Sequence, residues 1–486
     1  MNRINFPLSF LLVLLILIYF HIKGFIPYDE GWFVYAGERF LHGQIPYKDF
    51  EFIYNPGGIY LSALSLFLFG KSILATRILA LVVSLFSVLT IYLFSKKLKI
   101  QAAFIFLIIL NFVFWGPAHI NFIWPVMLSI SSGLATLYFV FLALSAEDKR
   151  KTARFLFLAG LFSGVTFLFK QNFGLAIVIN DLLIILFIKR FRNLRFIFYL
   201  ALGVLTVVGI QLIYMLFTNS LLIYLKDFYY FMFIKIIQNH MLASGLPWEY
   251  PSPIIYKMFK IILYLIPIII SLLSLVVLLK KNKHLFFVPT LVILYYLLSI
   301  RPTTDYVHLT PLIALSFISL IVIYPLLKKG GKAIIIIFAL LFLIFGIYSS
   351  LFRNYYRWNA PLVSENYFLA IPHAYILTDL GTAQNAMELV KFIDSHTKKG
   401  EPIFIYGLNP MFYLLSERDN PTRYDYYYPQ VQDSNSVSDA TNILRNSKVK
   451  LIFSGFPLSR NAKDQNYILN NYTEIKYMGN YFYIKR

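Results

Sequence analysis

Two adjacent carboxylates, Asp29 and Glu30, follow the first apolar run of the chain. A carboxylate can act as a general base that removes a proton from a hydroxyl group. Neighbouring residues of a helix point about 100° apart, so the two acids are not expected to share one task. One would face a cavity as the base while the other orients it. The alternative is that both stabilise a helix N-terminus, where negative charge is favourable.

Residues that could hold a phosphate group follow later apolar runs of the chain. Arg301 offers two parallel hydrogen bonds and His308 offers an imidazole. Lys170 and Gln171 lie in a short connection, 170–173, which keeps the Lys170 side chain near the membrane surface. The alternative for these cations is snorkelling, in which the charged end of the side chain reaches for interfacial water.

Several classes of chemistry are excluded by residue type and spacing. The sequence contains no cysteine, which excludes disulfides, thiolate nucleophiles and cysteine-ligated metals. It also lacks the His-Glu-x-x-His and Gly-x-Gly-x-x-Gly motifs. Gly70-Lys71-Ser72 resembles the end of a phosphate loop, but Ser65 stands where that motif requires Gly. We therefore predict no metal ligands and no nucleotide site.

Composition indicates a polytopic membrane protein that is mainly α-helical. Hydrophobic residues make up 59% of the 486 residues and charged residues only 14%, against roughly 25% charged in soluble domains. This excludes an ordinary cytosolic enzyme. A helix of about 20 apolar residues spans a bilayer. Hydropathy predicts a bundle of about eleven spans, at residues 6–22, 74–94, 102–115, 124–145, 155–169, 174–188, 196–217, 261–279, 285–299, 309–327 and 333–351.

The basic residues predict the orientation of the chain. One set of alternate connections carries 18 Lys and Arg in 38 residues, and the opposite set carries 8 in 97. Because Lys and Arg are enriched in cytoplasmic loops, the dense set is assigned to the cytoplasm. The prediction is a multi-pass cell-membrane protein with a cytoplasmic N-terminus and an extracytoplasmic C-terminal region. Charge divided among six short loops also argues against nucleic-acid binding.

Three long regions lie outside the predicted spans, at about 23–73, 218–257 and 352–486, and the first and the last differ in character. The first outside loop runs from about residue 23 to 73. Its apolar residues recur at helical spacing until Gly43, which predicts an interfacial helix. The apolar stretch 58–70 predicts a second interfacial helix. Beyond residue 351 the composition is that of a soluble domain, with alternating helical and β-like segments. The sequence thus predicts a transmembrane domain over 1–351 and a small extracytoplasmic α/β domain, accessory in function, over 352–486.

Two runs of motifs suggest a family. The first is Asp29-Glu30-Gly31, Ala36-Gly37, Gly43-Gln44-Ile45-Pro46-Tyr47-Lys48-Asp49, Asn55-Pro56-Gly57-Gly58, Phe69-Gly70-Lys71-Ser72 and Arg77, and the second runs from Leu158-Ala159-Gly160 to Lys170-Gln171-Asn172-Phe173-Gly174. Together they resemble the GT-C glycosyltransferases, the polytopic enzymes related to protein O-mannosyltransferases and lipid-A aminoarabinose transferases. The likeness is closest over residues 25–95.

The resemblance implies an activity and a set of roles. It implies an inverting transfer of a hexose or pentose from a polyprenyl-phosphate donor to an extracytoplasmic acceptor, with Asp29 as general base. Within the motif Gly43–Asp49, Tyr47 and Asp49 are expected to position the acceptor. Many relatives carry a second acid in the loop after the third span, where this chain has His119 and Asn121 instead. These two are expected to position substrate, and a divalent metal is doubtful.

Two other functions remain open at the level of sequence. A transporter or flippase of lipid-linked saccharides would be expected to show two similar halves with broken helices and several charges within spans. Here Asp181 is the only acid within a predicted span, and the halves are not alike. A non-catalytic binder of lipid-linked saccharides is the third possibility. The sequence identifies neither the sugar nor the acceptor, which could be a glycolipid, a polysaccharide or a protein.

Overall fold

The computed structural model describes residues 6–229, 254–299, 306–352, 360–427, 434–459 and 463–486, so Arg301 lies outside the described residues. The helices are α1 Phe6–His21, α2 Asp29–Leu41, α3 Gly57–Phe69, α4 Ile73–Lys97, α5 Ala102–Trp115, α6 Pro125–Ser145, α7 Lys149–Phe169, α8 Gln171–Phe187, α9 Leu194–Phe217, α10 Leu221–Tyr229, α11 Ile254–Lys281, α12 Phe287–Ser299, α13 Tyr306–Ile323, α14 Lys329–Phe352, α15 Leu380–His396, α16 Met411–Ser416, α17 Ser434–Asn446 and α18 Lys463–Asn471. The strands are β1 Tyr367–Phe368, β2 Leu377–Thr378, β3 Phe404–Tyr406, β4 Leu451–Ser454, β5 Tyr472–Tyr477 and β6 Asn480–Lys485.

The chain forms two compact units that are not continuous in sequence. The first unit comprises Met1–His21, Ile53–Gly58 and Ala80–Pro361. The second comprises Ile22–Phe52, Ile59–Leu79 and Leu362–Arg486. The predicted C-terminal α/β segment therefore shares a compact unit with most of the first outside loop. The assignment of sugar transfer to 1–351 and of an accessory role to 352–486 stays a prediction.

Helices occupy all eleven predicted spans, which confirms the predicted helical bundle. Among the described residues, seven helices are long and apolar enough to cross a bilayer: α4, α6, α7, α9, the segment Leu263–Lys281 of α11, α13 with its short extension to Leu326, and α14. The other four, α1, α5, α8 and α12, are shorter apolar helices. Helices of that size reach only about 20–26 Å, below the roughly 30 Å of a hydrocarbon core.

Helices α7 and α9 of the first unit cross at close range because two glycines face each other. A Cβ on Gly160 would overlap the carbonyl oxygen of Leu200, and a Cβ on Gly203 would lie 2.6 Å from the backbone nitrogen of Leu161. Small residues allow membrane helices to approach until their backbones are in contact. This crossing explains Gly160, one of the motif residues, by packing.

We expect Gly160→Val to destabilise the first unit by roughly 1–3 kcal/mol or more, because the added atoms meet backbone that cannot move aside. The measurement is the thermal unfolding midpoint of the purified protein. Gly209→Val is the matched control, since a Cβ there meets nothing within 4 Å. Equal midpoints for the two variants would contradict the close crossing.

Hydroxyl groups link the helices in the interior of the first unit. The Ser163 hydroxyl donates to Asp181 Oδ2 at 2.7 Å, and the Ser132 and Thr166 hydroxyls lie 2.7 Å apart. Asp181, the one acid predicted inside a span, is 4% exposed. Intramembrane acids are costly unless they are paired in the bundle interior, as this one is.

The second unit is built on a four-stranded sheet of order β3-β4-β6-β5. Strands β3 and β4 are parallel, and β6 is antiparallel to both β4 and β5. Met478 and Gly479, with φ of 50° and 75°, form the two-residue turn of the β5–β6 hairpin. The sequence pattern predicts tail helices at 382–398 and 440–445 and strands at 403–406, 449–453 and 481–484, which coincide with α15, α17, β3, β4 and β6. The elements β1, β2, β5, α16 and α18 were not predicted. Strand β5 was not predicted because three of its six residues, Thr473, Glu474 and Lys476, are polar and exposed.

Helix α2 ends at Leu41 and is followed by Gly43 at φ +81°, as its sequence predicts. Its surroundings differ from the prediction of an interfacial helix with one polar side. Every residue from Glu30 to Arg39 is buried. Val34 and Tyr35 join the core formed by tail residues such as Leu389 and Ile405. Three charged residues of α2, Glu30, Glu38 and Arg39, form ion pairs inside the second unit.

Candidate functional site

The two acids of the first turn of α2 have opposite environments. Glu30 is 1% exposed and forms a bidentate ion pair with Arg77, in which both nitrogen–oxygen distances are 2.6 Å. Arg77 is fully buried and also donates to the carbonyl oxygens of Lys23 and Gly24 at 2.8 and 2.7 Å. Asp29, in contrast, is partly exposed. Of the two adjacent acids, Asp29 is the one that solvent or substrate can reach.

Asp29 contacts an aromatic side chain from the C-terminal segment. The Tyr426 hydroxyl donates to Asp29 Oδ1 at 3.2 Å. The Tyr426 ring stacks on Trp32, with ring centroids 4.8 Å apart and planes 20° apart. Asp29 and Trp32 are three residues apart on α2, so they share a helix face. Tyr426 therefore contacts two residues of α2 at once.

Arg39 joins α2 to the segment that precedes Tyr426. Its guanidinium lies 2.5 Å from Asp425 Oδ1 and also donates to the carbonyl oxygens of Thr422 and Asp49, at 3.1 and 3.2 Å. Burial raises the pKa of the Asp425 carboxyl, and the Arg39 charge offsets part of that rise. This buried pair fixes the backbone immediately before Tyr426.

Tyr47 and Asp49, expected to position the acceptor, serve the loop itself. Tyr47 is 2% exposed, adopts φ +70° and accepts a hydrogen bond from Arg423 at its carbonyl oxygen. Asp49 Oδ2 accepts from the backbone nitrogen of Ile45 at 2.7 Å. The Tyr47 ring is buried in the second unit, and its role with the acceptor stays a prediction. Asp49 is exposed, and its role with acceptor stays a prediction.

In the first unit, Lys170 and Gln171 lie where α7 ends and α8 begins. The Lys170 ammonium is 5.1 Å from the ring centroid of Phe173 and 6.0 Å from that of Tyr54. Gln171 Nε2 donates to the carbonyl oxygen of Ile53 at 3.1 Å. Lys170 is only 5% exposed, which does not fit a side chain that snorkels to water.

Tyr54 and Trp124 connect Lys170 with His308. The Trp124 ring lies 5.8 Å from the Tyr54 ring and 5.7 Å from the His308 ring, both edge to face. His308 is partly exposed at the start of α13. Lys170 and His308 are thus linked through the rings of Tyr54 and Trp124. Gln171 bonds to the residue next to Tyr54.

The motif Asn55-Pro56-Gly57-Gly58 returns the chain to the first unit beside these residues. Asn55 Nδ2 donates to the carbonyl oxygen of Phe167 at 2.5 Å, and Asn55 Oδ1 accepts from the Tyr224 hydroxyl at 2.8 Å. A Cβ on Gly57 would lie 2.6 Å from the Phe169 ring. The motif therefore allows close packing against the end of α7, next to Lys170.

His119 and Asn121 are packing residues in this structure. Both are fully buried. Asn121 Nδ2 donates to the carbonyl oxygen of Phe20 at 2.5 Å, and the His119 ring stacks at 5.9 Å on Trp115. Both side chains are held inside the first unit, and their role in positioning substrate stays a prediction. The described part of the chain contains no cluster of three His, Cys, Asp or Glu residues suited to a metal ion.

The site residues that the sequence did not predict are aromatic. Tyr426 and Trp32 contact each other at Asp29, and Tyr54 contacts both Lys170 and Trp124. Trp32 was assigned only to an apolar helix face. Tyr426 belongs to the run Tyr424-Asp425-Tyr426-Tyr427-Tyr428-Pro429, whose composition by itself fits either packing of the tail against the membrane part or sugar binding. Its contact with Asp29 joins residues 397 positions apart, which no local pattern reveals.

These features define a class, a multi-pass membrane protein in which polar side chains cluster around Asp29 in one unit and around Lys170 in the other. Residues 55–215, about a third of the chain, match the family model described as dolichyl-phosphate-mannose-protein mannosyltransferase. No curated protein matches the chain at a significant level.

Solved structures of other proteins share the fold. ArnT from Cupriavidus metallidurans in the apo state aligns over 99% of this chain and 97% of its own, with 13% identity and a TM-score of 0.63. The same protein bound to undecaprenyl phosphate aligns over 99% and 98%, with 12% identity and a TM-score of 0.63. The Archaeoglobus fulgidus oligosaccharyltransferase aligns over 92% and 67%, with 13% identity and a TM-score of 0.51.

The predicted resemblance is confirmed by the family model and by the shared architecture. The chain shares the fold of ArnT and of the oligosaccharyltransferase, and a third of it matches the mannosyltransferase model, as the GT-C resemblance predicts. The TM-scores of 0.51–0.63 establish the shared fold. Because the identities are only 12–13%, substrates and residue roles belong to the proposals below.

Proposed function

We propose that this protein is a membrane glycosyltransferase that moves one sugar from a polyprenyl-phosphate donor to an acceptor hydroxyl, with inversion at the anomeric carbon. Three findings support the proposal: the match to a mannosyltransferase model, the fold shared with an ArnT structure that holds undecaprenyl phosphate, and the accessible Asp29. The sugar, hexose or pentose, and the acceptor are left open.

The observation that carries the proposal is the contrast between Asp29 and Glu30. A general base must be accessible to the acceptor and must be free to take its proton. Glu30 is buried and holds Arg77 with both oxygens, whereas Asp29 is partly exposed on the same helical turn. Asp29 is thus the proposed base, and Glu30 is proposed to orient the turn that carries it.

The proposed reaction is a single displacement. Asp29 removes the proton of the acceptor hydroxyl as the acceptor oxygen forms a bond to the anomeric carbon. On the opposite face of the sugar, the bond between that carbon and the phosphate oxygen breaks, and polyprenyl phosphate leaves with the electron pair. The donor already carries an activated anomeric carbon, so the step needs neither ATP nor a nucleotide sugar.

The departing phosphate needs cationic partners, which we propose to be Lys170 and His308. An ammonium that is already removed from water, as that of Lys170 is, interacts strongly with an anion. Gln171 is proposed to donate a further hydrogen bond. Arg301 is also proposed to bind the phosphate, but on the sequence alone, because it lies outside the described residues.

Lys170→Met should raise the donor KM by roughly 10–100-fold, the equivalent of one charged hydrogen bond. The methionine keeps the apolar stem against Phe173 and Tyr54, so folding should be retained. The measurement is initial rate against donor concentration. Lys448→Met, at an exposed position of the tail, is the matched control. An unchanged donor KM for Lys170→Met would remove this residue from the proposed phosphate site.

We also propose a cytoplasmic N-terminus and an extracytoplasmic C-terminal segment, in agreement with the distribution of Lys and Arg. A reporter that is active only outside the cytoplasm, fused after Arg486, should be active. Activity of a cytoplasm-only reporter at the same position would overturn this orientation.

The overall proposal is tested by incubating the purified protein with radiolabelled polyprenyl-phosphate sugars and extracts of glycolipid, polysaccharide or protein acceptors. Transfer of label to an acceptor, with release of polyprenyl phosphate, is the expected result. Movement of the intact labelled lipid across a vesicle membrane without transfer would instead identify a flippase. Binding of the donor without either event would identify a non-catalytic binder.

A further inference from the structure

Tyr426, in the C-terminal segment, contacts the proposed base. Its hydroxyl donates to Asp29 Oδ1 at 3.2 Å, and its ring stacks on Trp32 one helical turn further along α2. The stack orients the ring, and the ring directs the hydroxyl. The position of Tyr426 therefore depends on the helix that carries Asp29.

The residues on both sides of Tyr426 are anchored in the interior of the second unit. Asp425, 1% exposed, pairs with Arg39 and accepts from Asn420 Nδ2 at 2.9 Å. Tyr427 is fully buried and its hydroxyl donates to Asp464 Oδ2 at 2.8 Å. Tyr426 itself is partly exposed. Two buried anchors thus hold one accessible side chain in place.

We propose that Tyr426 is a positioning residue for sugar transfer, which orients the Asp29 carboxylate and stabilises its ionised form. The inference rests on the proposed function, because it assigns Tyr426 to the same base. A hydroxyl that donates to a carboxylate favours the charged form, and the charged form is the one that accepts a proton. Fixing Oδ1 also restricts rotation of the carboxylate.

This role would make the C-terminal segment part of the catalytic apparatus. The sequence predicted an accessory domain with no share in the chemistry. A segment that supplies one hydrogen bond to the base would be required for full turnover although it contains no catalytic residue of its own. The aromatic run that includes Tyr424 and Tyr426 would then have two functions, since Tyr424 packs within the tail.

The test compares Tyr426→Phe with the wild type in the full-length protein. Phenylalanine keeps the stack on Trp32 and removes only the hydroxyl, so the fold should be retained. We expect turnover to fall by roughly 10-fold and the acid limb of the kcat/KM pH profile to move up by about one pH unit. Donor KM should be unchanged. Glu30, the neighbouring acid, keeps its ion pair with Arg77 in both proteins.

Tyr424→Phe is the matched control, because the Tyr424 hydroxyl donates to Asp439 at 3.1 Å in the same segment. Its pH profile should equal that of the wild type. The same shift in both variants would show a general effect of the tail and would overturn the proposal. A wild-type turnover and acid limb in Tyr426→Phe would overturn it as well.

Asp29→Asn separates this inference from the proposed function. If Asp29→Asn is inactive and Tyr426→Phe behaves as wild type, only the role of Tyr426 fails. If Asp29→Asn keeps wild-type transfer, the base assignment fails and the role of Tyr426 with it. In the Asp29→Asn background, Tyr426→Phe should cause no further loss, because the hydroxyl would act only through the carboxylate.

Discussion

Asp29→Asn should lower the rate of sugar transfer by roughly 10²–10⁴-fold while donor binding changes little. Asparagine has nearly the same size and can still accept the Tyr426 hydrogen bond, but it cannot take a proton from the acceptor hydroxyl. Because the phosphate is proposed to be held by other residues, the loss should appear in kcat and not in donor KM. Single-turnover transfer with a labelled donor is the measurement.

Asp379→Asn is a suitable control for that experiment. Asp379 caps α15 in the same unit, where its side chain accepts from the backbone nitrogen of Thr382. Asparagine is an equally good N-cap, so neither folding nor transfer should change. Both variants must be recovered at wild-type levels. If Asp29→Asn transferred sugar as fast as the wild type, Asp29 would not be the base. Its remaining role would be to stabilise the N-terminus of α2 by its negative charge.

Arg77→Met should destabilise the second unit by roughly 3–5 kcal/mol, the largest stability effect that we expect. The substitution leaves the buried Glu30 carboxylate without its cation and removes the hydrogen bonds to the carbonyl oxygens of Lys23 and Gly24. The thermal unfolding midpoint of the purified protein reports the loss. Adding Glu30→Gln should recover part of it, because the uncompensated charge disappears.

A second ion pair on the same helix provides the comparison for Arg77. Lys71 pairs with Glu38, but the Lys71 side chain is 34% exposed whereas that of Arg77 is 0% exposed. Water reaches the Lys71 end of this pair although Glu38 is buried, so Lys71→Met should cost about 1–3 kcal/mol, less than Arg77→Met. Equal decreases of the unfolding midpoint in Arg77→Met and Lys71→Met would show that burial of the Arg77 side chain does not strengthen its ion pair.

The sequence by itself determined the helical bundle and the position of the acids. Hydropathy is a local property, because each span must be apolar along its own length to lie in lipid. All eleven predicted spans accordingly contain helices. The end of α2 was also predictable, since Gly43 provides the left-handed conformation that follows Leu41. The motifs around Asp29 and Lys170 indicated the GT-C resemblance without any coordinates.

Tertiary structure alone decided what each polar residue does. Asp29 and Glu30 are equivalent in sequence, and only packing against Arg77 buries Glu30 and leaves Asp29 accessible. The burial of His119 and Tyr47 likewise follows only from the tertiary structure. Tyr426 reaches Asp29 across 397 positions because the tail and the first loop fold into one compact unit. Contacts of that range depend on how the chain folds back on itself, which local composition and spacing do not encode.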